Sequence, residues 1–203
     1  MKKLLTKIFV GFFALALTWN FAACSCNCGQ EENQYPFPDN VTTNADKLII
    51  NKTGSDFFKD YISFNPVNSK RIESLFELRY KINIPDKPYF KGEIVIYTDT
   101  LGNILYDKEI TGIPDCFTDP QNCEFHISDI QAKSIAETEG LDKGIKDWKI
   151  GLLWNGKHKQ YLWHILSTLS ESGNDERYIA KGKELLIDPS SGKIIELNEW
   201  NIR

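Results

Sequence analysis

The stretch ELLIDPSSGKIIEL, residues 184–197, decides the fold of the C-terminal half of the chain. Two apolar runs flank a Pro-Ser-Ser-Gly segment, whose composition favours a tight turn. The pattern therefore predicts an antiparallel hairpin. Upstream, residues 148–154 and 161–166 are a second pair of apolar runs, joined through Asn155 and Gly156. Because Asn-Gly is a typical hairpin turn, these residues predict a second hairpin.

A helix is predicted to precede these four strands. Ser128 and Gln131 have the spacing of a capping box, in which each side chain accepts a hydrogen bond from the backbone N–H of the other residue. Gly140 is a typical C-terminal stop. The apolar residues of the segment are mostly small and share one face that can lie close to a sheet: Ala132, Ile135 and Ala136. Residues 126–203 are thus expected to form one helix and four strands, with a polar loop over residues 170–177.

Residues 46–125 are expected to form a mainly antiparallel β part. Apolar and polar residues alternate over residues 76–84, which is the period of a half-buried strand. A hairpin is predicted between residues 93–97 and 104–106, and a short helix over residues 55–61. The fold class is therefore α+β, with antiparallel sheets and a helix packed on one face. Because cores of parts this small are marginal alone, we expect the two parts to pack together.

The C-terminal part resembles a PepSY-type domain over residues 126–200. The order and spacing of three segments carry the resemblance: Ser128-x-x-Gln131-Ala132-x-x-Ile135-Ala136, Tyr161-x-Trp163-x-Ile165, and Leu186-Ile187-Asp188-Pro189-x-Ser191-Gly192-Lys193-Ile194-Ile195. The resemblance implies a domain without catalytic residues, of a kind found in exported or membrane-bound bacterial proteins. It also implies a role in inhibiting or restraining peptidases. Since no peptidase sequence follows here, we expect action on a separate protein.

The N-terminus has the layout of a secretory signal peptide, with lysines, an uncharged apolar run and then small residues. Phe21-Ala22-Ala23-Cys24 resembles a bacterial lipobox, which implies removal of residues 1–23 and lipid attachment to Cys24. Two or more acyl chains are enough for stable anchoring. The alternatives are an ordinary signal peptide cut after Ala23 and an uncleaved anchor. Residues 24–45 are polar and predict a flexible tether. We therefore expect a protein of the bacterial cell envelope, facing the periplasm or the cell surface.

Cysteine usage agrees with export. Cys116 and Cys123 flank a loop that contains Asp-Pro, and a turn there would bring the two thiols together as a local disulfide. Cys26 and Cys28 lie in the predicted tether. These two thiols are either free or bridged to each other, or they bind a metal ion together with Cys24. Lipidation of Cys24 would exclude metal binding by the three cysteines.

Composition narrows the class of partner. The chain has 203 residues and a net charge of −4. Loss of residues 1–23 removes three lysines and leaves 21 basic against 28 acidic side chains, a net charge of −7. An acidic balance argues against binding to a nucleic-acid backbone. Contact with the membrane is therefore expected through the lipid on Cys24 and not through basic side chains.

Motifs that carry catalysis are missing from the sequence. It contains no His-Glu-x-x-His, no Gly-x-Ser-x-Gly, no phosphate loop and no dinucleotide fingerprint. His158 and His164 could approach each other, but a turn residue and a strand residue explain them better than a metal site. The acidic pairs are best explained as solvated faces. We therefore expect no catalytic residues, no metal and no cofactor.

An aromatic cluster offers the best candidate surface. Alternation along residues 148–154 places Trp148, Ile150, Leu152 and Trp154 on one face. Trp154 and Tyr161 flank the hairpin turn, so we expect them to be exposed and to form a binding surface. For the cluster as a whole we favour core packing, and a platform for a peptide or glycan is the functional alternative.

The function that these observations favour is a non-catalytic binding or regulatory module for another envelope protein, such as a peptidase. Addition of a partner strand to a sheet edge is the expected mode of binding. One alternative is a structural component of an envelope complex with no soluble ligand. A carboxylate-dependent enzyme is the other, and it requires a cleft with converging titratable groups. The sequence does not indicate an oligomeric state.

Overall fold

The computed structural model of the protein describes residues 37–174 and 177–202. The predicted signal peptide, Cys24, Cys26 and Cys28 lie outside the described residues. The N-terminal part contains α1 (Asp39–Thr53), α2 (Ser55–Tyr61), β1 (Ile62–Phe64), β2 (Lys70–Ile72), β3 (Leu75–Ile82) and β4 (Gly92–Asp99). The C-terminal part contains a 3₁₀ turn (Pro120–Cys123), α3 (Asp129–Thr138), β5 (Lys149–Asn155), β6 (Gln160–Asn174), β7 (Arg177–Ile187) and β8 (Ile194–Ile202). The α+β fold class is confirmed.

The prediction that residues 24–45 form a flexible tether is wrong for residues 39–45, because these residues form the start of helix α1. Val41, Ala45 and Ile49 recur every fourth residue, so they share one face, and all three are fully buried. The helix ends at Gly54, whose φ of 85° suits glycine best. The short helix predicted over residues 55–61 is confirmed as α2.

The N-terminal sheet is built around β3. Strand β4 pairs with β3 along its whole length, while β1 and β2 pair with the two ends of β3 on its other side. The alternation predicted for residues 76–84 is confirmed for the even-numbered side chains of β3, which are buried beneath α1. On the other face Glu77 is also buried, where it pairs with Arg79. The strand predicted over residues 104–106 is wrong. Only Ile104 forms a bridge, to Thr98, before the chain turns away.

The C-terminal part has the predicted order of one helix and four antiparallel strands, and its sheet runs β5-β6-β7-β8. The capping box of α3 is confirmed, with Gln131 N–H donating to Ser128 Oγ at 3.2 Å and Ser128 N–H donating to Gln131 Oε1 at 2.9 Å. The polar loop predicted over residues 170–177 is wrong for residues 170–174 and 177. Strands β6 and β7 stay paired as far as Asn174 and Arg177, because the ladder satisfies backbone groups whatever the polarity of the side chains.

The two sheets share one core, as expected from their sizes. The rings of Phe90 and Phe125 stack with centroids 4.6 Å apart, and the edge of Tyr161 meets Phe90 at 4.8 Å. Phe90 also forms a parallel bridge with Leu152 of β5. The prediction that Leu152 shares an inward face of β5 with Trp148, Ile150 and Trp154 is confirmed in part, because Leu152 is buried in the core. These aromatic contacts join the N-terminal sheet to the C-terminal one.

Candidate binding groove

A groove lies between α3, the loop of residues 141–148 and the first residues of β5. We call it the α3–β5 groove. It has two adjoining sections of about 600 Å³ and about 460 Å³, which share Lys133 and Ile150. The first section also contacts Glu137, Lys143, Ile145, Lys146, Asp147 and Trp148, and the second contacts Pro88, Tyr89, Lys91, Asp129, Ile130 and Trp163.

The open edge of β5 forms one wall of this groove. Strand β5 is hydrogen-bonded to β6 on one side only. On its other side, the described part of the chain supplies a single bridge, from Phe90 to Leu152. Ile150 and Gly151 of β5 line the groove, and in the described residues neither has a strand partner on the side away from β6. Such an edge is a template for another strand.

Apolar side chains line the rim and the floor. Ile130 on α3 is 77% exposed and Ile145 in the adjoining loop is 57% exposed. Trp148 and Ile150 are half-buried between them, and Trp148 Nε1 donates to the backbone oxygen of Asp142 at 2.9 Å. Since large apolar side chains at the rim of a groove favour contact with a partner, this surface is suited to protein binding.

The floor is held rigidly by hydrogen bonding and packing. Trp163 is almost fully buried, its Nε1 donates to the backbone oxygen of Ile127 at 3.0 Å, and its ring lies 5.2 Å from that of Tyr89. Burial raises the pKa of the Tyr89 hydroxyl, and the nearby carboxylate of Asp129 raises it further. The Tyr89 hydroxyl therefore stays protonated at neutral pH and can donate a hydrogen bond.

The charge of the groove differs from that of the chain. Its lining includes four lysines and three carboxylates, whereas acidic side chains outnumber basic ones in the sequence as a whole. Lys146 forms an ion pair with Glu171. Within residues 37–174 and 177–202, Lys91, Lys133 and Lys143 form no ion pair, and all three are exposed. With Lys146 neutralised by Glu171, three lysines face the three carboxylates of Asp129, Glu137 and Asp147, so the groove is close to charge-neutral on an acidic protein.

The exposure predicted for Tyr161 is wrong. Tyr161 is 3% exposed, and its hydroxyl donates a hydrogen bond to the backbone oxygen of Gly112 at 3.1 Å. The backbone oxygen of Glu93 lies 3.3 Å from the same hydroxyl. Trp154 is half-buried, and its ring lies edge-on to Tyr161 at 5.3 Å. The N-terminal sheet covers this end of the hairpin, which the position of a residue beside a turn cannot reveal. The interpretation of the cluster as core packing is confirmed for Tyr161.

His158 and His164 each lie against a different glutamate. His164 Nδ1 lies 2.7 Å from Glu184 Oε1, and His158 Nε2 lies 3.2 Å from Glu196 Oε2. No group of three histidine, cysteine or acidic side chains in the described ranges is arranged to hold a metal ion.

The predicted pairing of Cys116 with Cys123 is confirmed as a disulfide, with Cα atoms 5.5 Å apart. The loop that it closes is tied to the end of α1. The N–H of Phe117 donates to the backbone oxygen of Lys52 at 3.0 Å, and the Lys52 ammonium pairs with Asp115 at 2.5 Å. The disulfide therefore fixes the segment that joins the two sheets.

Sequence reasoning missed the α3–β5 groove. Two signals were available: Ile130 is an apolar residue on the polar face of a predicted helix, and Ile145 stands alone among charged and glycine residues. Their proximity depends on how three separate segments pack, which no local pattern encodes.

In the described segments, no helix is long and apolar enough to cross a membrane. Comparisons of the chain with protein-family models, with curated proteins and with solved structures found no match.

Proposed function

We propose that this chain is a non-catalytic binding protein of the bacterial cell envelope, anchored by a lipid on Cys24, that holds or regulates another envelope protein. The observation that carries the proposal is the α3–β5 groove, which combines an open strand edge with exposed Ile130 and Ile145. A partner peptidase restrained in this way would fit the PepSY-type resemblance. The order of one helix and four strands is in keeping with that resemblance.

The chemistry of the groove supports binding rather than catalysis. Its lining consists of apolar side chains, lysines, carboxylates and the hydroxyl of Tyr89, and contains no serine, cysteine or histidine. The lining therefore offers no serine or cysteine nucleophile activated by a neighbouring histidine. Strand addition needs only main-chain groups at an open edge and apolar contacts beside it, and the groove offers both.

The test is a cross-linked pull-down from the native envelope, with mass spectrometry to identify bound proteins. The baits are the lipidated protein, residues 25–203 without lipid, and the groove variant Ile130→Ser/Ile145→Ser. The matched control is Leu101→Ser/Leu197→Ser, since these leucines are 72% and 57% exposed and lie outside the groove. The serine changes remove only exposed side chains, so all four baits should fold.

The proposal predicts one stoichiometric partner that both the lipidated and the lipid-free protein retain and that the groove variant loses. Purified partner and purified chain should then bind directly, with the same dependence on Ile130 and Ile145. Enrichment by the lipidated form alone, with no effect of the groove variant, would favour a structural component of an envelope complex. A partner held equally by the groove variant would refute the groove as the binding site.

A further inference from the structure

We propose that β8 is the interface of a symmetric homodimer, in which the β8 strands of two copies pair antiparallel and join their four-stranded C-terminal sheets into one continuous sheet. This inference goes beyond the proposed function, because β8 contributes no residue to the α3–β5 groove. Three features of β8 support it: the length of its open edge, the lack of edge protection and the self-complementary order of its side chains.

The other edges of the two sheets are either short or met by the chain itself. On the outer side of β4, the chain returns and forms bridges to Val95 and Thr98. At the open side of β5, Phe90 forms a bridge to Leu152. Strands β1 and β2 have three residues each, and edges this short offer little backbone for pairing.

Strand β8 differs from these edges. It runs from Ile194 to Ile202 and pairs with β7, while no strand or bridge in the part of the chain that the structure describes meets its other side. It contains neither proline nor lysine, two residues that proteins use to keep an edge unpaired. The pairing with β7 skips Ile195, so the regular edge runs from Glu196 to Ile202. A long edge without such protection is a template for another strand.

The side chains of β8 suit a second copy of the same strand. When two copies pair antiparallel about Asn198, residues 196–200 of each copy face each other. Leu197 then lies opposite Glu199 of the second copy, and Glu196 lies opposite Trp200 of the second copy. No two carboxylates are opposite each other in this register, which avoids the unfavourable pairing of like charges.

The neighbouring registers are less favourable. Centring the pair on Glu199 would place two carboxylates directly opposite each other. Centring it on Leu197 would bring together only residues 196–198 of the regular edge. The register about Asn198 therefore combines the longer ladder with the absence of like-charge pairs.

The charge and polarity of β8 also favour this contact. Glu196 is already paired with Lys157 at 2.6 Å, and Glu199 lies opposite Lys183 of β7. Both carboxylates therefore have a cation beside them before a second copy approaches. Leu197 is 57% exposed and Ile202 is 48% exposed. Pairing would remove part of this apolar surface from water.

The experiment measures the oligomeric state of residues 25–203, which include every described residue, by sedimentation velocity over a range of concentrations. All samples carry Cys26→Ser/Cys28→Ser, so that these thiols cannot link two copies. We expect a concentration-dependent dimer. Leu197→Glu places two further carboxylates opposite Glu199 of the other copy, whereas Leu197→Lys places ammonium groups there. The dissociation constant should therefore be about tenfold higher for Leu197→Glu than for Leu197→Lys, with the difference shrinking at high salt.

The matched controls are Leu101→Glu and Leu101→Lys, which make the same changes at a side chain that is 72% exposed and lies outside β8. These two should dimerise alike. Because Leu197 is also exposed, its variants should fold, and an unchanged midpoint of urea unfolding checks that they do. Hydrogen exchange should slow within residues 194–202 as the dimer forms and should stay unchanged at residues 149–155.

A chain that stays monomeric up to about 1 mM would overturn the inference. So would equal dissociation constants for Leu197→Glu and Leu197→Lys, or protection of β5 in place of β8. Loss of a pull-down partner in Leu197→Glu from a chain that is monomeric would assign β8 to another protein. The groove variant Ile130→Ser/Ile145→Ser should dimerise like the parent chain, so the dimer and the groove are tested separately.

Discussion

Removal of the Tyr161 hydroxyl tests whether the two sheets form one cooperative structure. This hydroxyl belongs to β6 of the C-terminal sheet, and it donates to the backbone oxygen of Gly112, beside β4 of the N-terminal sheet. In Tyr161→Phe the ring keeps its contacts, but the buried carbonyl of Gly112 loses this donor. Such a loss costs about 1–2 kcal/mol of unfolding free energy. For a chain of this length, that corresponds to a fall in Tm of roughly 2–8 °C.

The ring itself should contribute more than the hydroxyl. Tyr161 meets the edge or face of Phe90, Phe125 and Trp154, with centroids 4.8, 6.3 and 5.3 Å away. Truncation to alanine leaves a cavity at the junction of the sheets, so Tyr161→Ala should cost about 3–5 kcal/mol. Burial also raises the pKa of the Tyr161 hydroxyl, which keeps it a donor throughout the neutral range.

The assay is urea unfolding of residues 25–203, followed by tryptophan fluorescence and circular dichroism. The matched control is Tyr178→Phe, since that hydroxyl donates to Glu171 at 2.7 Å but belongs to a residue that is 42% exposed. The control should change the unfolding free energy by no more than about 0.5 kcal/mol. The two probes should give one coincident transition. The reasoning would be refuted if Tyr161→Phe were as stable as the parent chain, or if the two probes showed separate transitions.

Three further changes test local features. Ser128→Ala removes the capping box of α3 and should lower the unfolding free energy by about 1 kcal/mol in urea titration, while an unchanged midpoint would contradict the role of the cap. Replacement of Cys116 and Cys123 by serine opens the loop between the sheets and should cost about 2–3 kcal/mol by the same assay, while equal stability under oxidising conditions would show that the loop closure contributes nothing. A hydrogen bond from Lys157 is the main reason that the pKa of Glu196 falls from 4.5 to about 2. The pKa of Glu196 is lower in the folded state than in the unfolded state, so the interaction with Lys157 stabilises the fold fully above about pH 4.5. This stabilisation is lost as the pH falls toward 2. In Lys157→Met, carboxyl NMR should find the pKa of Glu196 raised, and an unchanged value would contradict the assignment.

The parts of the fold that the sequence predicts are those encoded locally. The capping box of Ser128 and Gln131 fixes the start of α3, and the glycine-containing turns fix both C-terminal hairpins. Helix α1 escaped prediction because Val41, Ala45 and Ile49 stand among asparagine, threonine and aspartate residues, which have low helix propensity. Its stability comes from packing on the sheet, and no local pattern records that packing.

The sequence predicted the type of binding site, an open strand edge, but not its position in the fold. Strand addition to an edge follows from a small open sheet, yet which edge is open depends on tertiary structure. Tyr161 looks exposed in the sequence because it borders a turn, but a second sheet covers it. Ile130 and Ile145 look incidental because their neighbours are polar, but α3 and its following loop bring them to one groove.

The contact that joins the sheets also limits the open edge. Phe90 packs on Phe125 and Tyr161 in the shared core and, through the same stretch of backbone, bridges Leu152 of β5. It thereby occupies the middle of this edge of β5, and in the described residues neither 149–151 nor 153–155 has a strand partner on that side. Short edges flanked by lysines resist indiscriminate pairing, because an incoming strand gains few hydrogen bonds unless its side chains also fit. The packing of the two sheets therefore decides which part of this edge of β5 already has a neighbour in the described chain.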